Sequence, residues 1–197
     1  LIIAWAARRL GRRIRWQQAR SDSFVSDLHG RDNRTKARAV IDKTGKVHAL
    51  AVTVHANMGS WLSNFSTYIP TLSGSRTLTT NYAIPVASLR VLGIMTNTPA
   101  VDAYRGAGRP EATYLIERIV ETAARETGID PAEIRRRNYV KTFPHQTPVI
   151  MNYDAGDYAA SLDAALDAID YKGFPARKAE AARRAARQRR RQQPRPT

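Results

Sequence analysis

The chain of 197 residues contains no cysteine. Disulfides, thiolate zinc sites and iron–sulfur clusters are therefore excluded within it. Histidine is scarce, at four residues. His29 has no second ligand at metal spacing, and strict alternation puts His48 and His55 on opposite faces of one strand. No apolar run is long enough to span a bilayer. Leu1–Ala7 is apolar but has no basic region before it and no small-residue cleavage site after it. It reads as the second half of a buried helix, not as a signal peptide. These absences fit a cytoplasmic protein.

Acidic residues are missing from both ends. Residues 1–20 carry six arginines and no acid, and residues 172–197 carry ten Lys or Arg against Glu180 alone. Residues 21–171 hold sixteen charges of each sign, so the net charge of +15 belongs to the termini. A nucleic-acid-binding domain should spread its cations over a folded face. The pattern favours a neutral globular body with basic extensions, and the expected division is a folded region, 1–171, and a basic tail, 172–197. A binding module that uses the tail on nucleic acid is the least favoured alternative.

The expected architecture is α+β, with mixed strands and helices and a core of ordinary size. Leu1–Leu10 reads as a helix stopped by Gly11. Arg12–Gln17 alternates and predicts a strand, and Ser21–Asn33 a polar connection. Thr35–Ile41 and Val47–His55 form the clearest pair, a hairpin turned by Asp42-Lys43-Thr44-Gly45. Alternation places Val47, Ala49, Ala51 and Thr53 opposite His48, Leu50, Val52 and Val54. Both sets are largely apolar, which predicts a strand covered on both sides. Ser66–Leu72 reads as a short helix and Val86–Asn97 as a third strand. Trp61, Tyr68 and Tyr82 read as core anchors, with a substrate funnel as the alternative.

The strongest helix is Pro110–Thr127, with Ala112, Leu115, Ile116, Ile119, Val120 and Ala123 on one face. Gly128 ends it. Asp130 caps the next helix, with Pro131 in its first turn and Glu133 three residues on. Arg135-Arg136-Arg137 is either a phosphate site or an ordinary basic helix end. Asp157 caps a last amphipathic helix towards Ile169. After Pro175 few large apolar residues remain, which predicts a frayed helix or disorder.

The chain is organised around Asp102-Ala103-Tyr104-Arg105-Gly106-Ala107-Gly108-Arg109-Pro110-Glu111. Two glycines between two arginines let the backbone turn tightly or approach another group closely. Pro110 then starts a helix whose first N–H groups and dipole favour an anion or the polar edge of a cofactor. A plain loop with a good helix start would look the same.

Val101–Ala112 resembles the cofactor-site loop of the molybdenum hydroxylases, the large subunits of xanthine dehydrogenase, aldehyde oxidase and carbon monoxide dehydrogenase. Further resemblances lie at His29-Gly30-Arg31-Asp32, Asn81–Pro85, Glu117-Arg118, Gly128–Asn138, His145–Pro148 and Asp154–Tyr158, in the family's order. Together they reach from Leu1 to about Arg177, and the chain departs from the pattern by about Ala185. The resemblance implies an internal fragment of an oxidoreductase that hydroxylates an aldehyde or heteroaromatic carbon with oxygen from water. The cofactor would be molybdenum–molybdopterin in its cytosine dinucleotide form, in a dimeric complex with FAD-binding and 2Fe–2S subunits. Arg105 would lie beside the cofactor, Gly106 and Ala107 would face the substrate cavity, and Gly108 would complete the binding loop. Copper-containing carbon monoxide dehydrogenases carry cysteine where Gly106 stands, so the copper route is not implied. The family's catalytic glutamate lies downstream and its glycine-rich cofactor motif upstream. Neither is in this chain, which alone should be inert and free of metal. An inactive, truncated relic is the alternative.

Overall fold

A computed structural model describes the backbone of residues 1–192 and the side chains of residues 1–188. Its centre is a three-stranded sheet of β1 (Asn33–Ile41), β2 (Val47–Gly59) and β3 (Val86–Met95). β2 lies in the middle, antiparallel to β1 and parallel to β3. The β1–β2 turn forms as its residues predict. The Asp42 carboxylate accepts from the Thr44 and Lys46 N–H groups and the Thr44 hydroxyl, and lies 2.7 Å from His48 Nε2.

β2 departs from strict alternation. Ile41 pairs with Val47 and Val40 with Ala49, so His48 is an extra residue in the ladder. This bulge turns Val47 to the same side as Leu50, Val52, Ala56 and Met58, all buried. The expectation that both faces are covered also fails. Directly paired residues share a face, and the second face presents Arg34, Lys36, Arg38 and Ala51 of β1 and β2, with Ser88 and Arg90 of β3, all exposed.

The buried face is covered by α4 (Arg109–Thr127), α5 (Pro131–Asn138) and the turns around Leu78, Tyr82 and Ile84. On α4 the buried residues are Ala112, Ile116, Val120, Ala123 and Ala124, with Leu115 and Ile119 at the margin. The Asp130 carboxylate caps α5 by accepting from the Ala132 and Glu133 N–H groups. Asn138, fully buried, locks α5 to the sheet. Its amide oxygen accepts from Val47 N at 2.8 Å, and its nitrogen donates to Gly45 O at 2.7 Å and Ile134 O at 2.9 Å.

The three consecutive arginines make structural pairs. Arg135 reaches Glu117 and Glu121, Arg136 reaches Asp163, and Arg137 reaches Glu133 and the Thr44 carbonyl. Tyr82 is a core anchor, stacked on Tyr139 with centroids 5.6 Å apart, and its hydroxyl donates to Glu117 Oε1 at 2.6 Å. Trp61 and Tyr68 lie at the surface, so of the three aromatics expected as core anchors Tyr82 alone is one.

Other segments refine or correct the sequence expectations. Helix α1 (Ile2–Leu10) ends at Gly11 as predicted, but the burial expected of it is not provided by this chain: Ile2, Trp5 and Leu10 are exposed and none of its residues is buried. Arg12–Gln17 is not a strand, because no neighbouring strand among the described residues takes its hydrogen bonds. The predicted connection contains α2 (Arg20–Ser26), and the helix expected at Ser66–Leu72 is a π-type turn, Ile69–Ser73, running into α3 (Gly74–Arg76). The connection 139–153 contains a small antiparallel pair, β4 (His145–Gln146) and β5 (Asn152–Tyr153). α6 (Tyr158–Ala168) is capped by Asp157, with Tyr158, Leu162 and Leu166 half-buried and Ala165 and Ile169 exposed. α7 (Phe174–Gln192) is helical, the first of the two alternatives expected there, with each described side chain exposed. Residues 193–197 of the predicted tail lie outside the described residues.

Candidate functional site

The glycine-rich loop is mounted on a polar knot at the end of the sheet. Asn57 ties three segments together there. Its side-chain nitrogen donates to Asp32 Oδ2 at 2.7 Å and Thr98 Oγ1 at 2.9 Å. Its amide oxygen accepts from Thr96 Oγ1 at 2.7 Å and from Gly59 N at 2.8 Å. The chain then runs through Ala100 and Val101, both buried, alongside His29. His29 N donates to Ala100 O, and Asp102 N donates to His29 O at 2.9 Å. Segment 29–32 therefore backs the loop, although it is remote from it in sequence.

The loop closes on its own carbonyls. Ala107 N donates to Tyr104 O at 2.7 Å and Arg109 N to Gly106 O at 3.0 Å. Gly106 and Gly108 both have φ of 91°, and Ala107 between them has φ of 37°. Three successive residues of positive φ produce the tight turn, and holding a non-glycine there costs of order 1 kcal/mol or more. Among the described residues, no backbone partner takes the N–H groups of Arg105, Gly106 or Gly108. These donors lie immediately before the N-terminus of α4, where the dipole adds partial positive charge.

The surroundings of the glycines are more specific than their φ angles. A Cβ on Gly108 would lie 2.6 Å from Ile69 O and 2.8 Å from Gly74 N. A Cβ on Gly106 would lie 2.7 Å from Pro110 Cγ. Gly108 is thus small because the loop backbone packs on the backbone of the 69–76 turn. Gly106 is small because it packs on the proline that starts α4. The protein interior alone requires both.

The predicted site residues are contiguous but differently placed. The Arg105 side chain is exposed, Gly106 and Ala107 are half-buried, and Gly108 is buried. Arg109 is also exposed, with Nη1 3.4 Å from Gly106 O. The donor set suits an anionic, oxygen-rich group: the Arg105 and Gly106 N–H groups, a helix N-terminus and the exposed Arg105 guanidinium. No group of three or more His, Cys, Asp or Glu among the described residues could hold a metal ion. The cavities behind the loop are small, about 40 Å³ beside Gly108 and Ala112 and about 10 Å³ beside Arg31 and Val101.

Two residues that sequence reasoning did not assign to the site belong to it. Arg31 donates from Nη2 to the Arg105 carbonyl, and its guanidinium lies 4.7 Å from the centroid of the Tyr104 ring. Glu111, in the first turn of α4, brings Oε2 to 3.8 Å from Arg31 Nε. The only sequence signal for Arg31 is the run His29-Gly30-Arg31-Asp32, which does not say what it touches.

The chain is similar to known proteins of one family. Residues 1–139 match the family model of the molybdopterin cofactor-binding domain. The carbon monoxide dehydrogenase large chain of Hydrogenophaga pseudoflava is 36% identical over 186 residues, covering 89% of this chain and 22% of the relative. The 6-hydroxypseudooxynicotine dehydrogenase complex subunit gamma of Paenarthrobacter nicotinovorans is 28% identical, covering 87% of this chain and 22% of the relative. The crystal structure of quinoline 2-oxidoreductase from Pseudomonas putida 86 superposes with a TM-score of 0.84 at 26% identity, over 93% of this chain and 24% of that one. The chain thus spans about a fifth of the length of the curated relatives it matches. With its match running through the glycine-rich loop, the chain belongs to the molybdopterin cofactor-binding domain family, as a segment of a molybdenum hydroxylase large subunit.

Proposed function

We propose that this segment forms the cofactor-facing wall of a large subunit that hydroxylates an aldehyde or heteroaromatic carbon with oxygen drawn from water. The observation that carries this reading is the loop itself. It is rigidly backed, rich in unpaired N–H donors, set at a helix N-terminus, and has the Arg105 guanidinium exposed beside it. The group bound there would be molybdenum–molybdopterin in its cytosine dinucleotide form, which supplies the oxidation. The protein's contribution is orientation and electrostatics. Arg105 holds a fixed fork of donors toward an electron-rich cofactor. Gly106 and Ala107, half-buried and small, leave the substrate side unobstructed, while the buried Gly108 seats the loop on the 69–76 turn. Gly106 has no thiolate with which to hold copper, which favours an organic carbon over carbon monoxide as substrate.

The acid–base step belongs to a glutamate elsewhere in the subunit, and FAD-binding and 2Fe–2S partners take the electrons in a dimeric, cytoplasmic complex. Relatives whose names include a large chain and a complex subunit gamma support such an assembly. No helix among the described residues is long and apolar enough to cross a membrane. By itself this chain neither retains molybdenum nor turns over substrate.

The test is a pair of substitutions in the intact large subunit, scored by molybdenum content and turnover. Arg105→Ala removes donors aimed at the cofactor, and losing one such donor costs about 2.7–4 kcal/mol of transition-state stabilisation. Turnover should fall roughly a hundredfold, or cofactor loading should be lost. Arg109→Ala loses one long bond to Gly106 O and should stay near the surface range of about 0.5 kcal/mol in stability. Equal effects at both positions, or none at Arg105, would refute the placement of the loop.

A further inference from the structure

We propose that Arg31 is the positioning residue that holds the Arg105-Gly106 turn in its cofactor-facing shape, so that loop and backing segment act as one unit. The inference rests on the reading of 102–111 as the cofactor-facing wall. One guanidinium makes three contacts there. Nη2 donates to the Arg105 carbonyl, the plane covers the Tyr104 ring at 4.7 Å, and Nε faces Glu111 Oε2 at 3.8 Å. The ring, the carbonyl and the carboxylate come from the start of the loop, its apex and the first turn of α4. A lysine has no fork with which to meet all three at once.

The bond falls at a point with leverage. Holding the Arg105 carbonyl fixes the peptide plane between Arg105 and Gly106, and with it the direction of the Gly106 N–H. That N–H is one of the donors without a backbone partner among the described residues. The same plane sets where the Arg105 side chain leaves the backbone.

The backing segment is built to deliver Arg31. Arg31 has φ of 58°, a left-handed conformation that a non-glycine residue keeps only when its surroundings over-determine it. Gly30 lies so close to the loop that a Cβ there would be 2.4 Å from Tyr104 Cβ. On one side His29 is hydrogen-bonded to the segment entering the loop, and on the other Asp32 is held by Asn57. Glu111 Oε2 is buried and lacks a hydrogen-bond partner, so Arg31 is the cation that compensates it.

The test uses the full-length large subunit in its complex, with Arg31→Ala and Arg31→Lys. Amide hydrogen exchange is read at Ala107 and Arg109, whose N–H groups close the turn, against Leu50 and Val52 in the sheet. Both variants should speed exchange in the turn about tenfold or more, the effect of losing a charge-assisted hydrogen bond. The sheet amides should be unchanged. Guanidinium ion at millimolar concentration should restore protection in Arg31→Ala but not in Arg31→Lys, where the amine fills the space. Turn amides as slow as in the parent, or acceleration that extends equally to Leu50 and Val52, would overturn the proposal. Molybdenum and pterin content of the parent is measured separately. A parent subunit without cofactor refutes the cofactor-facing wall, whereas the exchange data judge the clamp.

Discussion

Replacing Gly108 with alanine separates two reasons for a glycine in the loop. The first reason is conformation. At φ of 91° an L-residue incurs the left-handed penalty, about 1–2 kcal/mol. The second is space. The new methyl group would meet Ile69 O at 2.6 Å, Gly74 N at 2.8 Å and Gly74 Cα at 3.0 Å. All three are backbone atoms, and none can swing aside as a side chain would. Forcing a methyl group into such a contact costs a further 1–3 kcal/mol, roughly. Gly108→Ala should therefore lose about 2–5 kcal/mol in all. That is a large share of the ~5–15 kcal/mol that holds a typical domain together. Gly128 is the control. Its φ is 71°, yet a methyl group added there would meet no described atom within 4 Å. Gly128→Ala should cost only the conformational part, about 1–2 kcal/mol. Equilibrium urea unfolding of the two variants and the parent, with unchanged m-values, measures the difference directly. If Gly108→Ala is no worse than Gly128→Ala, the loop does not pack on the 69–76 turn as described. In the intact subunit the same substitution should also lower cofactor content, because relief of the clash moves the turn that carries Arg105.

Three further outcomes follow from other parts of the molecule. Asn138→Ala strands the buried Val47 N–H and the Gly45 carbonyl and should cost about 2–5 kcal/mol in urea unfolding; a loss below ~1 kcal/mol would show that water or a shifted backbone replaces the amide. Burial, reinforced by the Glu117 carboxylate, pushes the Tyr82 hydroxyl far above its ordinary value. A folded-state value raised in this way contributes stability that is complete below the unfolded value of about 10 and is lost as pH rises beyond it. Alkaline titration should therefore couple the ionisation of Tyr82, followed by difference absorbance against Tyr82→Phe, to loss of circular dichroism above pH ~10; ionisation without unfolding would contradict this. We also propose that the folded body ends near Tyr171, where the hydroxyl still reaches Asp130 and Arg177 still holds Asp170, so trypsin should cut first in α7 beyond Arg177; a first cut between Arg31 and Arg137 would refute the boundary.

Much of the local structure was legible because it depends on neighbours in sequence. The hairpin turn at Asp42–Gly45, the Asp130 and Asp157 caps, and the apolar face of α4 are each set by residues within one or two turns of each other. The loop could be located for the same reason, since Gly106, Gly108 and Pro110 are adjacent. Resemblance to a family supplied the chemistry that spacing alone left open.

Contacts across distance were not legible. The bulge at His48 depends on how β1 and β2 settle against the core, and it reverses the facing of Val47. The triple-arginine segment has the same composition whether it binds phosphate or pairs with Glu117, Asp163 and Glu133, and only the packing of α5 between α4 and α6 decides. Arg12–Gln17 alternates like a strand, but a strand needs a partner for its backbone, and none of the described residues provides one. Arg31 and Arg105 stand seventy-four residues apart. By itself the sequence determined that a tight, donor-rich turn precedes a long helix. Tertiary packing decided which distant arginine holds that turn, and why Gly108 can be nothing larger: peptide groups of the 69–76 turn, remote in sequence, meet it at distances that leave no room for a side chain.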